Sequence, residues 1–173
     1  MSDKEDAILV RSFKEGDESA FDRLFEKYRV PVYSICYRYT RNEADARDLC
    51  QEVFIKVYHH LHKFHERSKF FTWVYRITVN ACISFHRSRR VTFPLQEQHA
   101  TTYAVGKRVQ MKVAIDKALS RLPERQRMTF ILRHYEGYTF GEIGEIMGIT
   151  TGAAKANHYQ AVRKLRLFLK DWL

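Results

Sequence analysis

Apolar residues recur at three- and four-residue spacing along most of this chain, the period of amphipathic helices rather than of strands. Ile8, Leu9 and Phe13 open a first short helix that Gly16-Asp17 ends. Across residues 18–40 an apolar stripe runs through Ala20, Phe21, Leu24, Phe25, Tyr28, Val32, Ile35, Cys36 and Tyr39, with Pro31 marking a kink or a new segment. Asn42 predicts an N-cap, with Glu43 and Asp45 in the first turn, where carboxylates suit the helix dipole. That helix buries Ala46, Leu49, Cys50, Val53, Phe54, Val57 and Leu61 and turns Asp45, Asp48, Gln51, Glu52 and Lys56 outward. A loop over residues 62–69 leads to another helix with Phe71, Val74, Ile77, Thr78, Ala81 and Phe85 inward, ending in the basic run Arg87-Ser88-Arg89-Arg90.

The period then fails. Residues 93–111, punctuated by Pro94 and Gly106, read as a linker between a domain over 1–92 and a second over 112–173. Fully extended, such a linker reaches roughly 60 Å; as a flexible coil it averages roughly 25 Å. The pattern returns with Val113, Ile115, Ala118, Leu119 and Leu122, which Pro123 ends. A second helix carries Met128, Phe130, Ile131, Leu132 and Tyr135 and stops at Glu136-Gly137. Thr139-Phe140-Gly141-Glu142 is a capping box that opens a short helix with Ile143, Ile146 and Met147. Gly148 supplies the left-handed turn that ends it. After Ile149-Thr150-Thr151 a longer helix runs to about residue 169, amphipathic through Ala154, His158, Ala161, Leu165 and Phe168 or Leu169. The predicted fold class is all-α: a helical bundle and a helix-turn-helix unit joined by the linker.

Composition agrees with this pattern. Only 7 Gly and 3 Pro stand against 10 Tyr and 12 Phe, too few turn residues for a sandwich of many short strands. No apolar run is long enough to span a bilayer, so no membrane insertion is expected. The opening MSDKEDAILVRSFKEGDE is charged throughout and lacks the apolar core of a signal peptide. Cys36, Cys50 and Cys82 form no CxxC pair and lie on apolar stripes, as buried thiols in a reducing cytoplasm do. The net charge of +10 is uneven. Residues 67–92 carry six basic side chains and no acidic one, and residues 112–173 carry eleven against six. Two separated basic regions point to two contacts on one polyanion.

Two constellations carry chemistry. The short capped helix, the turn at Gly148-Ile149-Thr150 and the longer helix with Lys155, Arg163, Lys164 and Arg166 form a helix-turn-helix signature. The first helix braces the second, Gly144 permits a close crossing, and the second presents amide ends and cations to the major groove. The other constellation is Lys69-Phe70-Phe71-Thr72-Trp73-Val74-Tyr75-Arg76, followed by Asn80 and the Arg87 to Arg90 run. Cations hold a nucleic-acid backbone while aromatic rings stack on unpaired bases. Phe71 and Val74 are expected in the core. Phe70, Trp73 and Tyr75 cannot all face one way, so part of this aromatic surface is expected to be exposed.

These residues resemble a known family. Asp45-Ala46-Arg47-Asp48-Leu49-Cys50-Gln51-Glu52-Val53-Phe54 is similar to the D-A-x-D-x-x-Q-E-x-F core of region 2 of bacterial sigma factors. Residues 69–80 resemble the F-x-T-W-L-Y-R-I-A-x-N segment of the extracytoplasmic-function (ECF) subgroup. Residues 119–127 resemble its L-x-x-L-P-x-x-x-R, and residues 152–166 its G-T-V-K-S-R-x-x-R-A-x-x-x-L-R. The four motifs fall in order over residues 17–168.

The resemblance implies a cytoplasmic, nucleoid-associated promoter-recognition subunit of core RNA polymerase, without cofactor or metal. Asp45, Asp48, Gln51 and Glu52 would meet the polymerase clamp. Lys63, His65, Lys69, Phe70, Thr72, Trp73, Arg76, Asn80, Arg87 and Arg90 would read the melted −10 element and capture a flipped base. Thr151, Gly152, Lys155, Ala156, Tyr159, Gln160 and Arg163 would read the duplex −35 element. An anti-sigma factor is implied as a further partner. The chain departs from the pattern at Asn157 and Gln160, where cations are usual, at His158, where the site is usually apolar, and at Thr78-Val79 and Ser84 in region 2.

Two other function classes fit the residues less well. A stand-alone helix-turn-helix regulator would bind a palindrome as a dimer, but it has no evident need for the Asp48/Gln51/Glu52 face or the aromatic-basic stretch. An enzyme lacks its motifs: no GxxxxGK, GxGxxG, GxSxG or HExxH occurs. His59, His60, His62 and His65 can be drawn as a metal cluster, but no carboxylate or cysteine completes a recognisable ligand set.

Overall fold

A computed structural model describes the backbone of residues 3–92 and 107–172. Among these residues are α1 (Asp3–Lys14), α2 (Ser19–Thr40), α3 (Glu43–Leu61), α4 (Phe70–Thr92), α5 (Lys107–Ser120), α6 (Glu124–His134), α7 (Phe140–Met147), α8 (Thr151–Phe168) and a closing 3-10 turn (Lys170–Trp172). No strand occurs among the described residues. Most of the expected linker, residues 93–106, lies outside them. Helix α5 starts at Lys107, ahead of the first periodic apolar residue, because Lys107, Arg108 and Gln110 are good helix formers that no packing needs to hold.

Helices α2, α3 and α4 pack as a bundle around Leu24, Val32, Ile35, Leu49, Val53, Val57 and Val74. Helix α2 runs through Pro31 without a break. An interior proline costs about 3 kcal/mol. Burial of Tyr28, Val32 and Ile35 around it returns about 1.5–3 kcal/mol each, which exceeds that cost. Helix α1 is fastened by Leu9, Val10 and Phe13 and by buried Asp6, which accepts from the Tyr28 hydroxyl at 2.5 Å and from the Lys27 ammonium. Burial first, and then the Asp6 contact, raises the Tyr28 pKa. Asn42 caps α3, accepting from the Asp45 amide at 3.0 Å.

The C-terminal half has a small core of its own, Ala118, Leu119 and Leu122 against Ala161 and Leu165. Its other apolar side chains, Met128, Ile131, Leu132, Ile143 and Ile146, join the core of the first half without interruption. The two halves are therefore packed on each other, α7 on α4 and α6 on α2. Polar groups rim this contact. Buried Arg127 of α6 donates to the Tyr39 carbonyl and lies over the Tyr39 ring at 4.6 Å. Glu136 accepts from Ser34 at 2.9 Å and pairs with Arg38 at 3.4 Å, and Arg41 meets Asp116 at 2.9 Å. The Phe71 and Tyr138 rings lie parallel, 11° apart with centroids at 6.4 Å.

Phe71, Ile77 and Phe85 face inward and pack against the core, half-buried, because Phe71 also meets Tyr138 of the other half and Ile77 also lines an open cleft. One expectation for α4 is corrected by this packing. Phe70 and Tyr75, expected to supply some exposed aromatic surface, are both buried, Phe70 among Tyr28, Phe64 and Trp73.

The turn between α7 and α8 is built as the spacing predicts. Thr139 and Glu142 form the reciprocal cap, Gly148 is left-handed at φ 64°, and Thr150 caps α8. A Cβ on Gly144 would lie 2.8 Å from the Ile149 carbonyl oxygen. Gly144→Ala is expected to destabilise the C-terminal half by about 1–3 kcal/mol, read as a lowered melting temperature. Glu136→Ala removes two contacts between the halves and is expected to increase the radius of gyration in small-angle scattering with helicity unchanged.

Candidate nucleic-acid interface

Helix α3 turns Asp48, Gln51 and Glu52 to solvent, while Asp45 is half-buried at its start. Glu52 is held by Lys56 at 2.5 Å and Glu43 by Arg47 at 3.2 Å. Asp48 has no ion-pair partner among the described residues, so it carries the uncompensated charge of this face. Beside it, an apolar cleft of about 590 Å³ opens between α2 and α3, lined by Phe25, Cys50, Gln51, Phe54, Ile55 and Tyr58. Cys36 and Cys82 are buried, but Cys50 is only half-buried in this cleft. Burial pushes its thiol up to about 11, which keeps it unionised. The exposed face can thus offer both charge and apolar surface to a protein partner.

Helix α4 has three different faces. Val74, Thr78 and Cys82 enter the core. Phe71, Tyr75 and Arg76 meet the C-terminal half, and Arg76 donates to the Glu145 carbonyl at 2.7 Å. Trp73, Ile77, Asn80 and Ser84 line an open cleft of about 280 Å³ with Lys56 and His60 of α3. Of the predicted −10 residues, Trp73 and Asn80 share this cleft. Lys63, His65 and Lys69 are exposed on the preceding loop, and Lys69 pairs with Asp3 at 2.9 Å. Phe70 and Thr72 are buried and do not reach a ligand surface, since Phe70 fills the core and Thr72 is 1% exposed. The backbone of Arg87 and Arg90 belongs to α4; their side chains lie outside the described residues.

Helix α8 exposes Thr151, Lys155, Tyr159 and Arg163, spaced one turn apart along a single line, with Gly152 and Ala156 beside it. Tyr159 is 66% exposed. Gln160 is half-buried at the edge of this face. His158 turns inward to α6, where its Nε2 lies 2.8 Å from Nε2 of His134. The ring centroids are 5.0 Å apart and the planes differ by 19°. That separation nearly reaches the sum of the nitrogen gap and the two centroid-to-nitrogen distances, its geometric maximum, so the rings meet edge to edge. One nitrogen donates and the other accepts, which requires at least one neutral imidazole. Burial lowers the pKa of both rings. Arg133 lowers them further, and His134 adds to the shift at His158.

Comparison with known proteins places this geometry. Residues 24–92 match Sigma-70 region 2 and residues 112–165 match Sigma-70, region 4. The chain is 28% identical over 178 residues to the ECF RNA polymerase sigma factor SigW of Bacillus subtilis, covering 94% of this chain and 95% of that one. It is likewise 28% identical to the RNA polymerase sigma-H factor of Pseudomonas aeruginosa, over 93% of this chain and 92% of that one. The chain belongs to the sigma-70 family, in its extracytoplasmic-function subgroup. Two solved structures share the fold of this sigma factor. CnrH in complex with the cytosolic domain of CnrY is 22% identical with a TM-score of 0.75, over 96% of this chain and 98% of that one. The sigma factor RpoE in complex with the anti-sigma factor NepR from Bartonella quintana is 21% identical with a TM-score of 0.66, over 87% and 96%.

Sequence reasoning missed three features of this sigma factor. Lys56 and His60 line the α4 cleft, whereas the sequence pattern puts Lys56 on the outward face of α3 and His60 among four histidines that can be drawn as a metal cluster. Their four-residue spacing on α3 was the available signal. His62 instead packs against Phe13, and His60 Nδ1 bonds the Lys56 carbonyl, so the cluster residues diverge. The contact of Arg76 with the other half had no local signal. The His134–His158 pair was likewise unforeseen, and it generates a pH dependence. Both rings are held below the ordinary imidazole value of 6.5, so folding favours the neutral pair. Its stabilisation is present above pH 6.5 and is lost as pH falls through the lower folded values. His158→Leu is expected to lose less melting temperature than the parent chain between pH 7.5 and pH 5.5; equal losses would dismiss the pair as the source.

Proposed function

We propose that this sigma factor joins core RNA polymerase and directs it to promoters with −35 and −10 elements, reading the first as duplex and the second as melted strand. The observation that carries this reading is that the α8 line and the α4 cleft are both open to solvent on one chain. Residues 1–92 and 112–173 act as two DNA-binding bodies joined through 93–111. The elements are 25 base pairs apart, about 85 Å of B-DNA. A compact chain of 173 residues has a radius of gyration of about 16 Å. The closed molecule cannot span that distance, so promoter binding requires the halves to separate.

In this reading Asp48, Gln51 and Glu52 bind the polymerase clamp, with the apolar α2/α3 cleft beside them. Trp73 offers a stacking surface to an unpaired base, and Asn80 reads its edge. Lys63, His65, Lys69, Arg76, Arg87 and Arg90 hold the strand. Arg76 does so only after leaving Glu145. Thr151, Lys155 and Tyr159 enter the major groove, with Gly152, Ala156 and Gln160 alongside and Arg163 nearer phosphate. The factor itself performs no catalysis and acts in the cytoplasm, at the nucleoid. An anti-sigma factor that grips the closed form or covers the α3 face is its expected antagonist, in keeping with the anti-sigma factor named as the partner of RpoE.

Reconstitution of holoenzyme with mapping of start sites tests the function; no discrete start on any genomic template would reject it. Stacking on an aromatic contributes about 1–3 kcal/mol per base. Trp73→Ala is therefore expected to cut initiation about tenfold or more while duplex binding stays near the parent value, and Trp73→Phe to restore most of it. Lys155→Ala is expected to weaken −35 duplex binding and to relax its sequence preference.

A further inference from the structure

The cleft between α3 and α4 has a hydrogen-bonding character set by this chain's own residues. At about 280 Å³ it lies just below the range of drug-sized ligand pockets, the scale of a single nucleobase. Trp73 and Ile77 give it an aromatic and an aliphatic wall; Lys56, His60, Asn80 and Ser84 supply its polar groups. His60 Nδ1 lies 2.8 Å from the Lys56 carbonyl oxygen. A carbonyl only accepts, so Nδ1 carries the hydrogen. In the neutral ring Nε2 is then a bare lone pair. Lys56 has one of its donors engaged by Glu52 at 2.5 Å and has others to give. The wall of the cleft therefore carries His60, whose neutral ring accepts only at Nε2, together with a cationic donor, Lys56.

We propose that His60 is a specificity-determining residue and that this cleft selects an unpaired base with an exocyclic amine beside a ring acceptor, cytosine or adenine. The amine of either base donates to His60 Nε2 while the ring nitrogen accepts from Lys56, directly or through Asn80. Thymine sets its one N–H between two carbonyl oxygens, which face the His60 lone pair. Guanine sets an N–H donor where Lys56 requires an acceptor. A wrong base leaves a polar group of the cleft unpaired, which is where discrimination of this kind arises.

This inference rests on the initiation-factor reading. It is tested in reconstituted holoenzyme on fork DNA with a duplex −35 element and a single-stranded non-template −10 segment. Each base is placed in turn at each position of the segment, and binding is measured by competition. The expected result is one position where cytosine or adenine outcompetes thymine and guanine about tenfold. His60→Ala flattens that preference. His60→Gln, whose amide presents either edge, flattens it with overall binding kept. His60→Lys, a donor only, shifts it to the keto bases. A preference that survives all three substitutions, or no preference at any position, overturns the role of His60 and leaves the initiation-factor reading standing. Absence of any holoenzyme binding to fork DNA overturns both. His60 is exposed, and an unchanged melting temperature for each variant confirms that folding is not the cause.

Discussion

Each half of the molecule places an arginine on the C-terminal carbonyls of a helix in the other. Arg127 of α6 donates to Tyr39 at the end of α2, and Arg76 of α4 donates to Glu145 near the end of α7. The last four carbonyls of a helix have no partner inside it, and the negative end of the helix dipole favours a cation there. The halves thus satisfy each other's orphan groups, and the apolar contact of Phe71 and Tyr75 with Tyr138 fills the space between. The two arginines are not equivalent. Arg76 is exposed and gives up its carbonyl at little cost. Arg127 is 4% exposed, and burial, with Arg41 nearby, lowers its pKa. Such a guanidinium regains hydration when the halves part, which offsets much of the lost contact. The interface is strong enough to define a closed form and polar enough to open.

That interface also decides what α4 is free to do. One helix serves three masters at 3.6-residue periodicity: core, neighbouring half and solvent. The positions 73, 77, 80 and 84 recur at four, three and four residues and fall on the solvent side. The closed form leaves the α3/α4 cleft open and ties exposed Arg76 to the Glu145 carbonyl. In the proposed reading, base reading and backbone gripping would therefore be separated: the first preformed, the second waiting for opening.

The elements were legible in the sequence because they are fixed locally. The Asn42 cap, the Thr139/Glu142 box and Gly148 each act within a few residues of chain, and the structure has all three. The line of Thr151, Lys155, Tyr159 and Arg163 was legible for the same reason, since α8 has one face against the core and its other face unopposed. The order of the region 2 and region 4 matches along the chain was legible from their motifs. The aromatic-basic stretch was only half legible. Periodicity places Val74 inward, but whether Phe70 or Phe71 is covered depends on Phe64 and Tyr138, which come from elsewhere in the chain. The cleft escaped notice because it forms between two helices, and a histidine tautomer is set by a hydrogen bond that no spacing encodes.

The recognition helix explains why a closed form is useful. Asn157 and Gln160 occupy positions where this subgroup usually carries cations, and His158 spends its ring on α6. Each missing phosphate contact weakens duplex binding and flattens its salt dependence. In the proposed reading region 4 alone would bind duplex weakly, and the closed equilibrium would divide its apparent affinity further by the open fraction. Non-specific DNA pays this penalty in full, because it contacts one half at a time and does nothing to hold them apart. A polymerase that fixes the spacing of both halves removes the penalty once for two sites, and the second contact then forms at a high effective concentration. A weak helix, a modest cleft and an openable interface give selectivity only in the presence of the partner, which stronger individual contacts would forfeit.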